Sequence, residues 1–207
     1  MAKSALLVMD VAQVIRGRIP DEAGYLQRLR RAIDAAHAAA IPVIYAVVAF
    51  RAGHPEISTR NKSFSAVPGT LGMVEGDPVT EIHPDIAPAP GDIVLTKKRV
   101  SAFAGSDLDI VLRAGDIDSL VLTGLATSGV VLSTLRQAAD LDFGLTVLAD
   151  GCLDGDPEVH RVLTEKVFPT RPTSSPLTSG SRPSAHNRFP SETALAGIGT
   201  HDALISR

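Results

Sequence analysis

The chain has 207 residues, 44% of them apolar, which suits one domain with one sizeable core. Its formal net charge of -3 shows no basic excess, so nucleic acid has no electrostatic claim on it. A single cysteine excludes an intramolecular disulfide framework and fits a reducing compartment. The opening MAKSALLVMDVAQ holds an apolar run that Asp10 interrupts early, shorter than a signal-peptide core or a membrane span. A cytoplasmic protein that does not cross a membrane is expected.

Ala5 to Met9 (ALLVM) is continuously apolar, as in a strand covered on both faces. From Asp21 to Ala40, the apolar Leu26, Leu29, Ile33 and Ala36 recur at helical spacing, with Arg28, Arg30 and Arg31 between them. Pro42 stops that helix, and Val43 to Val48 (VIYAVV) reads as the second strand. Ile93 to Thr96 predicts a third strand, followed by a short helix over Asp107 to Arg113. Gly115 is placed to end this helix in the left-handed conformation. Leu120 to Thr123 reads as the fourth strand, Val130 to Leu141 as a helix and Leu145 to Leu148 as the fifth strand. Asp156 and Pro157 read as N-cap and first position of a helix running to about Val167. Strands alternating with helices predict an α/β fold, a three-layer α/β/α sandwich on a mostly parallel, doubly wound sheet with right-handed crossovers.

Two segments break this rhythm. Arg51 to Asp92 is rich in proline and glycine, and a connection this long in a compact domain is usually a functional loop or lid. Pro169 to Pro190 (PTRPTSSPLTSGSRPSAHNRFP) has almost nothing to bury and reads as an irregular tail. The chain therefore divides into a domain over 1–168 and an atypical Ser/Pro-rich tail over 169–207. If the tail is unstructured, one sheet edge stays open and dimerisation or a strand from elsewhere must cover it.

In open parallel sheets, ligands bind beyond the carboxyl ends of the strands, where the strand order reverses. Asp10 follows the first strand. Lys97, Lys98 and Arg99 follow the third, leading into Ser101, Ala102 and Phe103. Gly124 to Val131 (GLATSGVV) follows the fourth and runs straight into a helix. A carboxylate and an ammonium that converge form an acid/base pair, because each biases the other's proton affinity. A glycine-containing turn into a helix aims backbone N–H groups at developing negative charge. Spacing alone does not establish convergence, and an acidic residue closing a buried strand serves equally well as a cap or hinge.

The segments LLVMD, KKRVSAF and TGLATSGVVLSTLRQAADLDFGLTVLAD, in that order between Ala5 and Phe168, resemble the isochorismatase-like hydrolases. That superfamily includes nicotinamidases and N-carbamoylsarcosine amidases. The resemblance implies that Asp10 and Lys97 are catalytic, with Lys98 a solvated neighbour. It implies that the turn Gly124 to Thr127 holds a cis peptide at Leu125–Ala126, and that the N–H groups of Ala126 and Val130 form an oxyanion hole. The family's nucleophilic cysteine should stand three residues after Thr127, where this chain has Val130. Valine has neither lone pair nor proton, so thiol-based acyl transfer cannot start there. Cys152, in ADGCLD after the fifth strand, reads as an inert, partly buried thiol away from Asp10. Ser128 reads as a helix N-cap, and Ser133 falls about a turn into the helix.

Some amidases of the superfamily bind a metal through an aspartate and two histidines in the long loop. FRAGHPE offers only His54, so neither metal nor other cofactor is expected. Arg51, His54, Asn61, Lys62 and Phe64, with Phe103 of the SAF segment, are candidates to line the pocket and bind an acidic small molecule. His160 reads as a solvated helix residue. The implied reaction is thiol-free hydrolysis of the vinyl-ether type, with Asp10 as acid and Lys97 tuning it. The alternatives are a ligand-binding or interaction protein that has lost the chemistry, and an amidase using water or a displaced nucleophile. The resemblance also implies a homodimer or homotetramer. Residues from Thr170 onward lack the strand and final helix usual in relatives, and a frameshift in the coding sequence is one explanation.

Overall fold

The structure is a computed structural model that describes residues 3–15, 19, 21–70, 72–169 and 203–205. Five strands run parallel: β1 (Ser4–Met9), β2 (Val43–Val48), β3 (Ile93–Lys97), β4 (Ser119–Leu125) and β5 (Gly144–Leu153). A short strand, β6 (Ala203–Ile205), pairs antiparallel with β5, and the sheet order is β3-β2-β1-β4-β5-β6. The order steps leftward from β1 to β3 and rightward from β4 onward, so the carboxyl ends of β1 and β4 border the switch point where such sheets bind ligands.

Strand β1 shows how composition becomes layers. Successive side chains of a strand face opposite ways. Leu6 and Val8 join one buried cluster with Tyr25, Leu26, Leu29, Ile33 and Ala36 of helix α1 (Glu22–Ala38). Ala5, Leu7 and Met9 join the other, with Leu108 and Leu112 of α3 (Leu108–Ala114) and Leu135 and Ala138 of α4 (Leu132–Asp140). A strand buried on both faces needs an apolar residue at every position, which explains the unbroken ALLVM run. Among the described residues, the long connection between β2 and β3 contains a short α2 (Val67–Thr70) and two 3₁₀ turns. It carries a small cluster of its own, built from Phe50, Phe64, Val67 and Met73.

Two expectations are corrected. The fifth strand extends to Leu153 instead of ending at Leu148, because a register shift opposite β4 lets it continue through Gly151 and Cys152. Gly115 closes α3 in right-handed geometry (φ -85°), and the left-handed residue is its successor Asp116 (φ 53°). The open edge that an unstructured tail would leave is paired in part, since Ala203, Leu204 and Ile205 pair with Val147, Thr146 and Leu145 of β5. The stretch 170–202, where the irregular tail was expected, lies outside the described residues. Helix α5 (Pro157–Val162) begins as expected. The Asp156 carboxylate accepts from the Glu158 and Val159 amides, and a wider turn carries the chain on to Val167. Among the described residues, no helix is long and apolar enough to cross a membrane.

Candidate active site

Asp10 leaves β1 in the left-handed conformation (φ 57°), a costly backbone for an aspartate that occurs where surroundings enforce it. Its amide donates to the Ala46 carbonyl of β2 at 2.8 Å, which fixes the bend. The carboxylate Oδ2 then lies 2.9 Å from Nζ of Lys97, whose side chain is 1% exposed. Lys97 Nζ also donates to the carbonyls of Arg99 at 2.9 Å and Val100 at 3.1 Å. Burial raises the Asp10 carboxyl above its ordinary value, and the opposing Lys97 charge and hydrogen bond and the Val48 amide do not outweigh it. The second oxygen, Oδ1, is buried without a hydrogen-bond partner among the described residues. The carboxyl thus has a raised proton affinity, with one oxygen anchored on Lys97 and the other buried.

Across the switch point, β4 ends in the turn that was expected to matter. Gly124 adopts φ 144°, and a Cβ there would stand 2.3 Å from the Met9 carbonyl oxygen. Only glycine lets the end of β4 run this close to the end of β1. The Leu125–Ala126 peptide is cis, as the resemblance implied. Thr127 to Val131 then form a wide π-type turn that leads into α4, with the Ala126 carbonyl accepting from the amides of Gly129 and Val131. Val130 is 2% exposed and packs into the cluster beneath the sheet.

The loop after β3 is tied to α4. Ser101 Oγ donates to Gln137 Oε1 at 2.7 Å, and the Ala102 amide donates to Thr134 Oγ1 at 2.9 Å. Lys98 is a correction, being largely buried instead of solvated. It donates to the Ala49 carbonyl and pairs with Glu75, stapling the long loop to the ends of β2 and β3.

Of the remaining candidates, His54 and Phe64 both pack on Phe50, next to Arg51, and Phe103 lies apart from them in the main core. Arg51 pairs with Glu56 at 2.5 Å on an exposed stretch, and His54 Nε2 meets the Gly72 carbonyl. Phe64 packs edge-on against Phe50, and Phe103 packs against Phe143 in the main core. Asn61 caps a local turn, its Oδ1 accepting from the Ser63 amide. Cys152 is more deeply buried than expected, at 3% exposure. It lies within β5, with its thiol near the Leu122 carbonyl and pushed up to about 12 by burial. Such a thiol is not a nucleophile at neutral pH.

The segment after β5 supplies residues that the sequence concealed. His160, expected in solvent, is half-buried, and its Nδ1 lies 2.8 Å from Thr127 Oγ1. Burial lowers its proton affinity, against the pull of Asp154 and Asp150. Ser128 is not a side-chain cap. Its amide instead donates to Asp154 Oδ2 at 2.7 Å. Burial works to raise the Asp154 carboxyl, but the amide and hydroxyl of Ser128 and the Asp156 and Gly155 amides outweigh it and hold the carboxyl low. The Asp-Pro helix start at 156–157 fixes His160 one turn in, but nothing local names a partner 33 residues upstream.

The Isochorismatase domain model matches residues 4–176. The ureidoacrylate amidohydrolase RutB of Stutzerimonas stutzeri is 34% identical over 180 residues, covering 76% of this chain and 72% of that protein. Among solved structures, N-carbamoylsarcosine amidase from Thermoplasma acidophilum is similar with a TM-score of 0.66 and 27% identity, covering 79% of this chain and 92% of that one. An isochorismatase family protein from Burkholderia thailandensis shares the fold with a TM-score of 0.70 at 24% identity, over 81% and 87% of the two chains.

Proposed function

Because this chain belongs to the isochorismatase family, we propose that it is a hydrolase that cleaves a small, acidic substrate by acid–base chemistry at Asp10, without a covalent thioester. The observation that carries this reading is the state of Asp10. Its carboxyl has a raised proton affinity, one oxygen held by Lys97, and the other buried without a hydrogen-bond partner among the described residues. In the vinyl-ether form of the reaction, Asp10 transfers its proton to the terminal carbon of an enol ether. Water adds to the resulting oxocarbenium carbon, loses a proton to the Asp10 carboxylate, and the hemiketal collapses to a carbonyl and an alcohol. Lys97 holds the carboxylate in place between these steps. None of this requires a thiol, and Val130 stands where the family resemblance puts one.

A second reading is amide hydrolysis by water, with Asp10 as the base and the Ala126 and Val130 amides receiving the oxyanion. It is favoured by the names of similar proteins, an amidohydrolase and an amidase. Turnover of isochorismate, ureidoacrylate, N-carbamoylsarcosine and nicotinamide by the wild type and by Asp10→Asn tests both. Cleavage of an enol ether that Asp10→Asn abolishes supports the first reading, and cleavage of an amide that Cys152→Ala leaves intact supports the second. Binding of an acidic small molecule with no turnover of any of them would sink the enzymatic reading in favour of a binding protein.

A further inference from the structure

The turn 125–131 is held from the side opposite Asp10. Thr127 is wholly buried, and its hydroxyl oxygen lies 2.8 Å from Nδ1 of His160 in α5. The next residue, Ser128, donates its amide to Asp154 at 2.7 Å. Two consecutive residues of one turn are thus bound to two side chains of one segment, between the end of β5 and α5. Asp154 is itself fixed, accepting from the Asp156 amide at 3.3 Å, while Asp156 caps the helix that carries His160. With Nδ1 unprotonated, the Thr127 hydroxyl donates into it, and a buried hydroxyl that loses its acceptor has no water to replace it.

We propose that His160 and Asp154 are positioning residues, a two-point clamp that fixes the Ala126–Val131 backbone for reaction. The inference rests on the hydrolase reading above, since it assigns that turn the task of orienting the substrate opposite Asp10. Neither side chain touches the Asp10–Lys97 pair in any hydrogen bond or ion pair among the described residues, so their effect passes through Thr127 and Ser128. Misplacement of a catalytic backbone by a fraction of an ångström is enough to slow a reaction without unfolding the protein.

The test uses the full chain with His160→Ala, His160→Asn, Thr127→Val and Asp154→Ala. Asparagine places a polar atom where Nδ1 stands. In His160→Ala, amide hydrogen exchange over 126–131 is expected to accelerate about tenfold or more, with exchange in β1 and β4 unchanged and His160→Asn close to wild type. With whichever substrate of the panel turns over, kcat should fall about tenfold or more at little-changed KM in His160→Ala and Thr127→Val. Combining those two should cost no more than either alone, because both remove the same contact. Unchanged exchange over 126–131 in His160→Ala overturns the clamp, whatever the activity. Slowed turnover that His160→Asn fails to restore overturns it as well. A wild type without turnover defeats the hydrolase reading instead, and leaves the exchange measurement to decide the clamp.

Discussion

Lys97 and Asp10 meet at 2.9 Å although their strands are not neighbours. Strand β2 lies between β1 and β3, and Lys97 pairs in register with Val48 at its carboxyl end. The lysine therefore reaches over the end of β2 to a carboxylate that the left-handed bend at Asp10 turns toward it. Asp10→Asn keeps the shape and removes the transferable proton, so kcat should fall by at least about 100-fold. Steady-state rates, with circular dichroism as the control for folding, check this.

Lys97→Met replaces a buried ammonium with an apolar chain of similar length and strands the Asp10 carboxylate. Breaking a buried pair from one side costs about 3 kcal/mol. Urea unfolding should show that loss, and Asp10→Asn in the same background should recover part of it.

Gly124→Ala places a methyl group 2.3 Å from the Met9 carbonyl oxygen on a backbone at φ 144°. Steric overlap and an unfavourable backbone together should cost about 3 kcal/mol. A thermal melt reads the loss. A variant as stable as wild type would mean that β4 does not end this close to β1.

Val130→Cys places a thiol in the turn while Asp10, Lys97 and the cis peptide stay in place. Cys152, buried and raised to about 12, does not compete. Native mass spectrometry with an amide substrate should then detect an acyl adduct, and iodoacetamide should modify the variant about tenfold faster than the wild type.

His160 ties stability to pH. Burial lowers its proton affinity from the ordinary 6.5, and the facing carboxylates of Asp154 and Asp150 only partly oppose this. The folded state then binds fewer protons than the unfolded one, so stability is full above 6.5 and declines as pH falls through the folded-state value. Urea midpoints across this range should decline in the wild type and decline less in His160→Asn.

How much of this was legible in the sequence depends on whether the signal was local. The run ALLVM declares a doubly covered strand, and Asp10 is visible as the charge that ends it. The α1 face was readable because Leu26, Leu29, Ile33 and Ala36 share one helical stripe, and all four enter one cluster. Strand β5 was cut short because Ala149, Asp150 and Gly151 look like a turn, and only a register shift against β4 keeps them in the sheet. Lys98, Ser128 and His160 were misplaced for one shared reason. Each finds its partner in a distant segment, at Glu75, Asp154 and Thr127, and a single side chain gives no sign of such a partner. Lys97 was visible as one of three cations closing β3, and only family resemblance singled it out from Lys98, since its convergence on Asp10 belongs to the sheet order.

The three acceptors around Lys97 Nζ limit what this lysine is able to do. An ammonium has three N–H bonds, and Asp10, Arg99 and Val100 take one each. No hydrogen remains to point at a bound molecule. Lys97 is therefore a fixed positive charge, felt by a substrate through the Asp10 carboxyl and through space. In the proposed reaction, the one proton the pair exchanges is therefore that of Asp10, and Lys97 keeps its own three.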